Sequence, residues 1–534
     1  MIYVKNIIRS FRRLLLTIPI LTILTSSILA QTVSIPDPGL NAAIRNVLNI
    51  PAAPLTVQNL LILTNLDASR RNIRSTVGLE TASNLVSLNL QINLLTNFPI
   101  PTTFTKLALL DLSANSLAQL SVPSSLTNLA SLTMEGCSLT NVTLPATLTA
   151  LTNFDIEGNN VRNFNLPATL TSLVALDLGF NEFTSFSLPA GLTNLSTFYF
   201  AGNPLTNAIF PPGLSGMTEL NLSQNLLATF TLPTGMTNLE ELDLAFNQLT
   251  NLSLPDDLRG LAELDLDFNQ FTTLILPSNL TNLSVLHLRA NLFTDFTLPS
   301  GLTGLTYLDV SDGPLRAISL PADLSHLTFL RIRGNTNLTN LTLPAGMTNL
   351  TGLNLVGNQL TNLVLPLDLN HLETLDLSGN AFTSLTLPSG LTHLTALFVV
   401  GNQLINLTLP PDMTSLTTLS FLSNPLSSFV LSELLAASTN LDVNFTTIDS
   451  LRNQGLSVLT YSLTLQVISL RRTADGAFQF AVSGPPGIYT VQGSSDLIGW
   501  SDLATLTNEL GFARFEDEQA NLSPRKFYRA RSGP

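Results

Sequence analysis

The chain has 534 residues, a formal net charge of -13, 45% hydrophobic residues, 11% charged residues and a single cysteine. It is long and apolar enough to bury a large core, which excludes a disordered chain. One cysteine rules out an intramolecular disulfide framework. The excess of acidic residues disfavours nucleic acid as a partner, because nucleic-acid binding depends on contacts of lysine and arginine with phosphates.

The first thirty residues (1–30) predict a secretory signal peptide. An apolar run, LLLTIPILTILTSSILA, ends at Ala30 and follows four basic residues, Lys5, Arg9, Arg12 and Arg13. A basic segment, an apolar segment and a small residue at the cleavage site are the parts of such a signal. Cleavage after Ala30 removes four positive charges and no negative one, which changes the charge from -13 to about -17.

An uncleaved membrane anchor is the alternative interpretation of these thirty residues. No later segment is apolar and long enough to span a membrane. We therefore expect a secreted or cell-surface protein with no membrane span after signal cleavage.

Residues 31–62 predict a short helical cap. Asp37 precedes an amphipathic segment in which Leu40 and Ile44 fall on one side, and a second short helix is predicted from Thr56 to Leu63. The end of a stacked repeat exposes its last apolar row and needs such a cover.

Residues 63–426 follow one repeat, L-x-x-L-x-L-x-x-N-x-L, in about 17 rungs. Examples are LEELDLAFNQL (239–249) and LAELDLDFNQF (261–271). The step between adjacent Asn residues is 22, except for 23 between Asn335 and Asn358. Cys137 and Gly313 occupy the Asn position in two rungs.

The physical logic of one rung follows from the period of a strand. In L-x-L the two Leu side chains point into the core, and the flanking residues point the other way. The Asn amide then pairs backbone groups that the following turn leaves without partners. The other half of each rung, such as LTNLSLPDDL, predicts a short extended segment that ends at Pro, with little helix on the outer face and Pro and Gly at the corners.

The pattern is similar to that of the leucine-rich repeat family, whose signature accepts Asn or Cys where Cys137 stands. The resemblance implies a β-rich solenoid with a parallel sheet on a concave inner face, and it makes Cys137 a structural substitute for Asn. The predicted helices of residues 31–62 resemble the N-terminal caps of secreted bacterial leucine-rich repeat proteins of the internalin type.

Past Pro425 the repeat stops. Residues 427–462 predict a C-terminal cap with two short helices, and residues 463–534 predict a small all-β, sandwich-like domain of five or six strands. This tail resembles small β domains that close many secreted proteins of environmental bacteria, through Y-x-V-x-x-S-x-D-L-x-x-W from Tyr489 to Trp500. We interpret Trp500, the only Trp, as part of that domain's core.

The candidate binding face lies on the predicted concave side. Aspartate is usual in the L-D-L column, so the acidic residues beside that column, an adjoining basic stretch and the Phe residues before the Asn are the unusual part. An acidic stretch followed by a basic one suits a polar, charge-complementary partner. The Phe rings, which include Phe180, either take part in binding or pack over the Asn turn. The candidate residues are Glu219, Glu241, Asp243, Phe246, Glu263, Asp265, Asp267, Phe268, His287, Arg289, Arg331 and Arg333.

Chemistry on this face is a weaker hypothesis. A row of carboxylates on strands about 4.8 Å apart offers neither a pocket nor an unlike environment for each acid, which catalysis requires. A divalent cation site would need convergence that an open sheet does not provide. No nucleotide-binding or catalytic motif occurs. We predict no metal and no cofactor.

Three further histidines directly precede the first Leu of a rung, in a column held mostly by Asn. They are His326, His371 and His393. We interpret them as members of an Asn-like hydrogen-bonding ladder. His371 and His393 are one rung apart and could instead pair on a metal, but no third ligand is evident.

The sequence thus favours a secreted, non-enzymatic binding protein whose concave face engages a protein or a glycan. A structural cell-surface or matrix component without a dedicated ligand is the alternative. Cation-dependent binding or an enzyme is a third.

Overall fold

The fold is described for residues 31–444, 446–474, 476–520 and 525–533 by a computed structural model. The predicted signal peptide lies outside these residues. The chain divides into two units, one ending at Leu261 and the other beginning at Ala262. Across the described ranges, no helix is long and apolar enough to cross a membrane.

Most rungs contribute a three-residue inner strand whose central side chain is buried between two partly exposed neighbours, and the last strand, Asp442–Val443, has two residues. Inner strands pair in parallel with their equivalents in the next rung, so that Leu220 faces Leu242. In the first unit they are Asn65–Asp67, Ser87–Asn89, Leu109–Asp111, Ser131–Thr133, Asn153–Asp155, Ala175–Asp177, Thr197–Tyr199, Glu219–Asn221 and Glu241–Asp243. In the second they are Glu263–Asp265, Val285–His287, Tyr307–Asp309, Phe329–Arg331, Gly352–Asn354, Thr374–Asp376, Ala396–Phe398, Thr418–Ser420 and Asp442–Val443.

The other side of the rungs carries short parallel strands and no regular helix, as the Pro pattern predicts. Their central residues are mostly buried and their flanking polar residues exposed. In the first unit they are Gln119–Ser121, Asn141–Thr143, Ser185–Ser187, Asn207–Ile209, Thr229–Thr231 and Asn251–Ser253. In the second they are Asp295–Thr297, Ala317–Ser319, Asn340–Thr342, Asn362–Val364, Asn406–Thr408, Ser428–Ser432 and Ser457–Tyr461. The fold is therefore a β-rich leucine-rich repeat solenoid of about 17 rungs.

The buried Asn of each rung links it to the rung before. Asn225 is 4% exposed. Its Nδ2 donates at 3.0 Å to the carbonyl oxygens of Phe200 and Leu222, and its Oδ1 accepts the Leu205 N–H at 3.2 Å. Cys137 stands in the same place and donates its thiol to the Leu112 oxygen at 3.1 Å. Burial raises the pKa of this thiol to about 11, which makes it unreactive.

The corners after Pro contain a contact that the sequence did not predict. Gly235 and Gly301 have φ angles of +93° and +95°, a region that favours glycine. The N–H of each donates at 2.7 Å to an Asp of the next rung, Asp257 and Asp323 respectively. These carboxylates thus pair backbone donors at corners that Pro and Gly shape.

Two helices, Pro38–Leu48 and Val57–Ile62, lie in the segment predicted as the N-terminal cap, followed by a 3-10 turn at Leu79–Thr81. Asp37 is the N-cap of the first helix: its Oδ1 accepts the Leu40 N–H at 3.0 Å. Its Oδ2 accepts the Arg74 N–H at 2.8 Å, which joins the cap to the first rungs.

At the other end, short helices at Glu433–Ala436 and Ile448–Asn453 follow the last rungs. Two three-stranded antiparallel sheets come next. The first contains Gln466–Arg472, Phe478–Ser483 and Phe512–Asp517, and the second contains Gly487–Ser494, Ser501–Asn508 and Phe527–Ser532. Their core consists of Phe480, Val482, Tyr489, Val491 and Phe515.

The prediction for Trp500 is wrong, because this residue lies outside that core. Trp500 is partly exposed, and the Arg529 guanidinium lies 4.3 Å from its ring centroid. The indole N–H donates to the Leu497 oxygen at 3.2 Å within the loop before the strand Ser501–Asn508. The core is built from strand residues instead, since these alternate toward the space between the two sheets.

The hydrogen bonds of the buried Asn column, which we call the Asn ladder, predict unequal effects of two similar truncations. Asn225→Ala leaves the Leu205 N–H unpaired inside the core and takes one donor each from the Phe200 and Leu222 oxygens, which keep the amides of Asn203 and Asn247. Cys137→Ala removes only weak thiol hydrogen bonds. With about 1 to 3 kcal/mol for the unsatisfied N–H and about 1 kcal/mol for each lost hydrogen bond, the first change lowers the free energy of unfolding by about 3 kcal/mol or more. The second lowers it by about 1 kcal/mol. Urea unfolding followed by circular dichroism measures both, and equal losses would contradict the ladder's role.

Candidate functional site

The candidate site lies on the surface formed by the side chains that flank the central residue of each inner strand and by the second and third residues after that strand. We call it the strand face. Rungs repeat in register, so equivalent residues of successive rungs lie in columns along it. All twelve predicted site residues belong to this surface. Within the first unit, Glu219 pairs with Glu241 and Asn221 with Asp243, as the predicted row requires.

The first unit gives the strand face a concentrated negative charge. Burial, and then the negative charges of Asp155 and Glu157, raise the pKa of Asp177 to about 7. Burial followed by the negative charge of Glu135 also raises the pKa of Asp155. The Tyr199 pKa is raised by burial and then by a hydrogen bond to Glu219. This group lies N-terminal to the candidate residues chosen from the sequence and extends the acidic region.

The aspartate of the L-D-L column is part of the scaffold. Asp265 Oδ1 accepts the backbone N–H of Asp267 at 2.9 Å. Asp111 and Asp376 make the same contact with the residue two positions on. Asp267 itself bridges rungs, because its Oδ1 accepts the Arg289 N–H at 2.6 Å. Burial, and then the charge of Asp265, raise the Asp267 pKa to about 6.

The predicted basic stretch is a mixed-charge cluster, because acidic residues omitted from the candidate set lie within it. Asp312 accepts the Arg289 Nε–H at 2.6 Å, and its other oxygen lies 3.7 Å from Arg333 Nε. Arg331 Nη1 lies 3.6 Å from Asp309 Oδ2. These pairs neutralise most of the positive charge that the sequence suggested. His287 Nε2 lies 3.9 Å from a Glu263 oxygen.

Asp309 departs from the scaffold role of its column. It is 3% exposed, and its Oδ1 has no hydrogen-bond partner among the described residues. Its Oδ2 receives the Tyr307 hydroxyl at 3.4 Å. The ring of Tyr307 stacks on Phe329 with a centroid distance of 5.8 Å, and Phe329 lies over Gly352, where any Cβ would clash with the ring. This aromatic stack was not predicted from the sequence. Its only indication in the sequence is Gly352, which leaves room for the Phe329 ring in the next rung.

The column directly before the Asn has a left-handed backbone. Glycine fills it in seven rungs, and three others carry Phe at φ angles of +49° (Phe180), +54° (Phe246) and +53° (Phe268). The remaining rungs carry other non-glycine residues at similar angles, such as Ile92 and Gln224 at +54°. Large side chains rarely adopt this region, at a cost of about 1 to 3 kcal/mol each. Phe180 and Phe246 are 48% and 51% exposed. The Arg289 guanidinium lies 5.2 Å from the Phe268 ring centroid.

The contacts of Phe180 bear on whether the Phe rings before the Asn take part in binding or pack over the Asn turn. The Phe180 ring occupies the space where a Cβ at Gly202 would lie, so it does cover the next turn. Half of its surface still faces solvent. Packing over the turn and presenting a ring to solvent are therefore compatible.

Within the described ranges, no group of three or more His, Cys, Asp or Glu side chains is arranged to hold a metal ion. The strand-face carboxylates lie on an open sheet, and the cavities found elsewhere are shallow grooves such as one of 710 Å³ lined by Phe480, Phe512 and Arg514. The arrangement is suited to contact with an extended partner surface.

A family profile described as BspA type Leucine rich repeat region matches residues 91–176, 178–290, 270–381 and 332–441. Among solved structures, the functional domain of InlJ from Listeria monocytogenes is similar over 85% of this chain and 96% of its own, with 19% identity and a TM-score of 0.57. That likeness concerns the fold. YopM from Yersinia enterocolitica is similar over 73% of this chain and 87% of its own, with 26% identity and a TM-score of 0.52. No curated protein sequence matches the chain.

The acidic group predicts a pH dependence of stability. The Asp177 pKa rises from 3.8 to about 7 on folding. Between these two pH values the carboxyl group is protonated in the folded chain and ionised in the unfolded chain. The free energy of unfolding therefore falls as pH rises through this window. Asp177→Asn removes this contribution, and the Asn oxygen still accepts the Gly179 N–H, as Asn221 does for Ser223. The variant should show a smaller fall between pH 4 and 7 and exceed the parent in stability at pH 8; identical pH profiles from urea unfolding would contradict the assignment.

Proposed function

This chain belongs to the BspA-type leucine-rich repeat family, and from that premise we propose that it is a secreted, non-enzymatic binding protein. Its strand face engages a protein or a glycan. Solenoids of stacked repeats present long surfaces that suit such partners. Export is supported by the basic and apolar segments of residues 1–30, which have the order of a signal peptide.

The observation that carries the proposal is the backbone strain at exposed aromatic residues. The repeat accepts glycine before the Asn without strain, yet Phe180 and Phe246 hold left-handed conformations there with half of each side chain in solvent. The left-handed backbone is common to the column, so the added strain comes from placing a large aromatic side chain there, and such strain is typical of functional positions. Aromatic rings are also enriched in binding interfaces.

The charge distribution along the strand face supports a polar partner. Glu219 and Glu241 lie side by side in the first unit, while the second unit alternates acidic and basic side chains, as in the pair of Arg289 and Asp312. Such a pattern favours partners of complementary charge. It raises the rate of association with them more than it raises the binding affinity. A structural component without a dedicated ligand would need no such arrangement.

A matched pair of double variants tests this assignment. Glu263→Gln with Arg333→Gln removes one acid and one base from the strand face, and Asp295→Asn with Arg316→Gln removes the same charges at and beside the outer strands. On an array of extracellular proteins and glycans, we expect the parent and the outer-strand variant to capture the same ligands. The strand-face variant should bind them at least about tenfold more weakly, since a paired charge in an interface is worth about 1.5 kcal/mol or more.

Equal capture by both double variants would place binding elsewhere on the chain. Capture of no ligand by the parent protein would favour the structural alternative. Thermal unfolding of all three proteins checks that the substitutions leave the fold intact.

The strained rings separate a functional role from a structural one. Phe246→Gly relieves the left-handed strain, so the free energy of unfolding should rise by about 1 kcal/mol, while capture of the array ligand weakens. Phe271→Gly, which removes a fully buried ring, serves as the contrast and should destabilise the protein strongly. A Phe246→Gly protein that is both less stable and fully active in capture would show that the ring serves packing alone.

A further inference from the structure

The histidines outside the strand face occupy a column of hydrogen-bonding side chains. The Asn residues of this column donate their amides to a backbone oxygen of the preceding rung; they include Asn84, Asn128, Asn194, Asn238 and Asn349. His326, His371 and His393 do the same through Nδ1, at 3.0, 2.8 and 2.7 Å from the backbone oxygens of Thr303, Thr348 and Asn370. Histidine therefore replaces the Asn hydrogen bond, as the sequence indicates.

This contact fixes where the imidazole proton lies. A carbonyl oxygen only accepts hydrogen bonds, so Nδ1 must carry the hydrogen. In the neutral ring Nε2 then has a free lone pair. Both His371 and His393 are exposed, and within the described part of the chain neither Nε2 makes a hydrogen bond. A histidine whose Nδ1–H is held by a backbone oxygen and whose Nε2 is free is the usual form of a metal ligand.

His371 and His393 are also neighbours in space. Their rings stack with centroids 5.6 Å apart and planes inclined by 24°. His326 has no such neighbour in its column, because the next rung carries Asn349. The chain thus contains one histidine pair and one isolated histidine in identical local surroundings.

We propose that His371 and His393 form a two-imidazole site for a divalent transition-metal ion, with Cu²⁺ preferred. Imidazole suits Cu²⁺, Ni²⁺ and Zn²⁺, and Cu²⁺ binds most tightly in the general order of these metals. Metal–nitrogen distances of about 2.0 to 2.1 Å require the two nitrogens to approach within about 4.2 Å. Each Nε2 lone pair lies in the plane of its ring, and the two planes are inclined by 24°, so binding requires the exposed rings to tilt until both nitrogens point at one ion. Water completes the coordination.

The ladder and the metal site use different atoms of the same rings. Nδ1 holds the rungs together, and Nε2 binds the metal, so the two interpretations that the sequence posed as alternatives are compatible. The column lies before the first Leu of each rung rather than on the strand face. The proposal therefore stands or falls independently of the proposed binding function.

The test uses the purified protein without an affinity tag, titrated with Cu²⁺ in a calorimeter and examined by electron paramagnetic resonance. We expect one ion per chain at this site, with a spectrum showing two coordinated imidazole nitrogens. His371→Asn and His393→Asn each remove one Nε2 but keep the hydrogen bond that Asn makes elsewhere in the column. Each should weaken Cu²⁺ binding by about tenfold or more, with an unchanged melting temperature.

His326→Asn is the matched control and should leave Cu²⁺ binding unaltered. A second measurement on the parent protein needs no variant: binding must weaken at acidic pH, because protons compete for the same nitrogens. The proposal is overturned if the parent shows a single coordinated imidazole, if both Asn variants bind Cu²⁺ as tightly as the parent, or if affinity does not change with pH.

Discussion

The structure depends on one requirement: every rung must pair the backbone groups at its turn, and no rung can do so alone. In most rungs a buried Asn supplies the pairing, donating to carbonyls of its own rung and of the rung before, and accepting an N–H of that earlier rung. Because these groups are buried, each would be costly if left unpaired. The requirement recurs from rung to rung, so the step is 22 residues apart from one step of 23, and side chains of equivalent rungs fall into fixed columns.

The repeat made most of the fold predictable. Its period gives the inner strands, their parallel register and the buried Leu rows, and Pro after the outer segment correctly indicates the lack of helix there. Two local features were less accessible. The acceptor role of Asp257 for the Gly235 N–H depends on a side chain reaching the previous rung. The position of Trp500 depends on Arg529, a residue distant in sequence that lies over its ring.

The candidate site was predicted less completely than the fold, for physical reasons. The sequence places charges in columns but does not give their partners, so Arg289, Arg331 and Arg333 form a basic stretch in the sequence although Asp309 and Asp312 lie among them in the structure. The left-handed backbone before the Asn could have been inferred from its glycines, but a pattern of glycines alone does not show which Phe residues are strained. Burial of like charges, which shifts the Asp177 pKa to about 7, is a property of the assembled sheet.

In a repeat this regular, residues that the scaffold requires recur in the same column of most rungs. Residues that depart from their column are the candidates for function. Asp265 satisfies a backbone N–H as its equivalents do, so its presence alone says little about binding. Asp309, in the same column, instead contacts Tyr307 and Arg331 with its carboxylate. It thereby differs from the aspartates of the column that accept a backbone N–H. The histidine column shows that one residue can do both: Nδ1 meets the demand of the repeat, and Nε2 is left over for a ligand. Since the scaffold fixes only the first of these atoms, two adjacent substitutions of Asn by His are enough to bring two free ligands together without altering the fold.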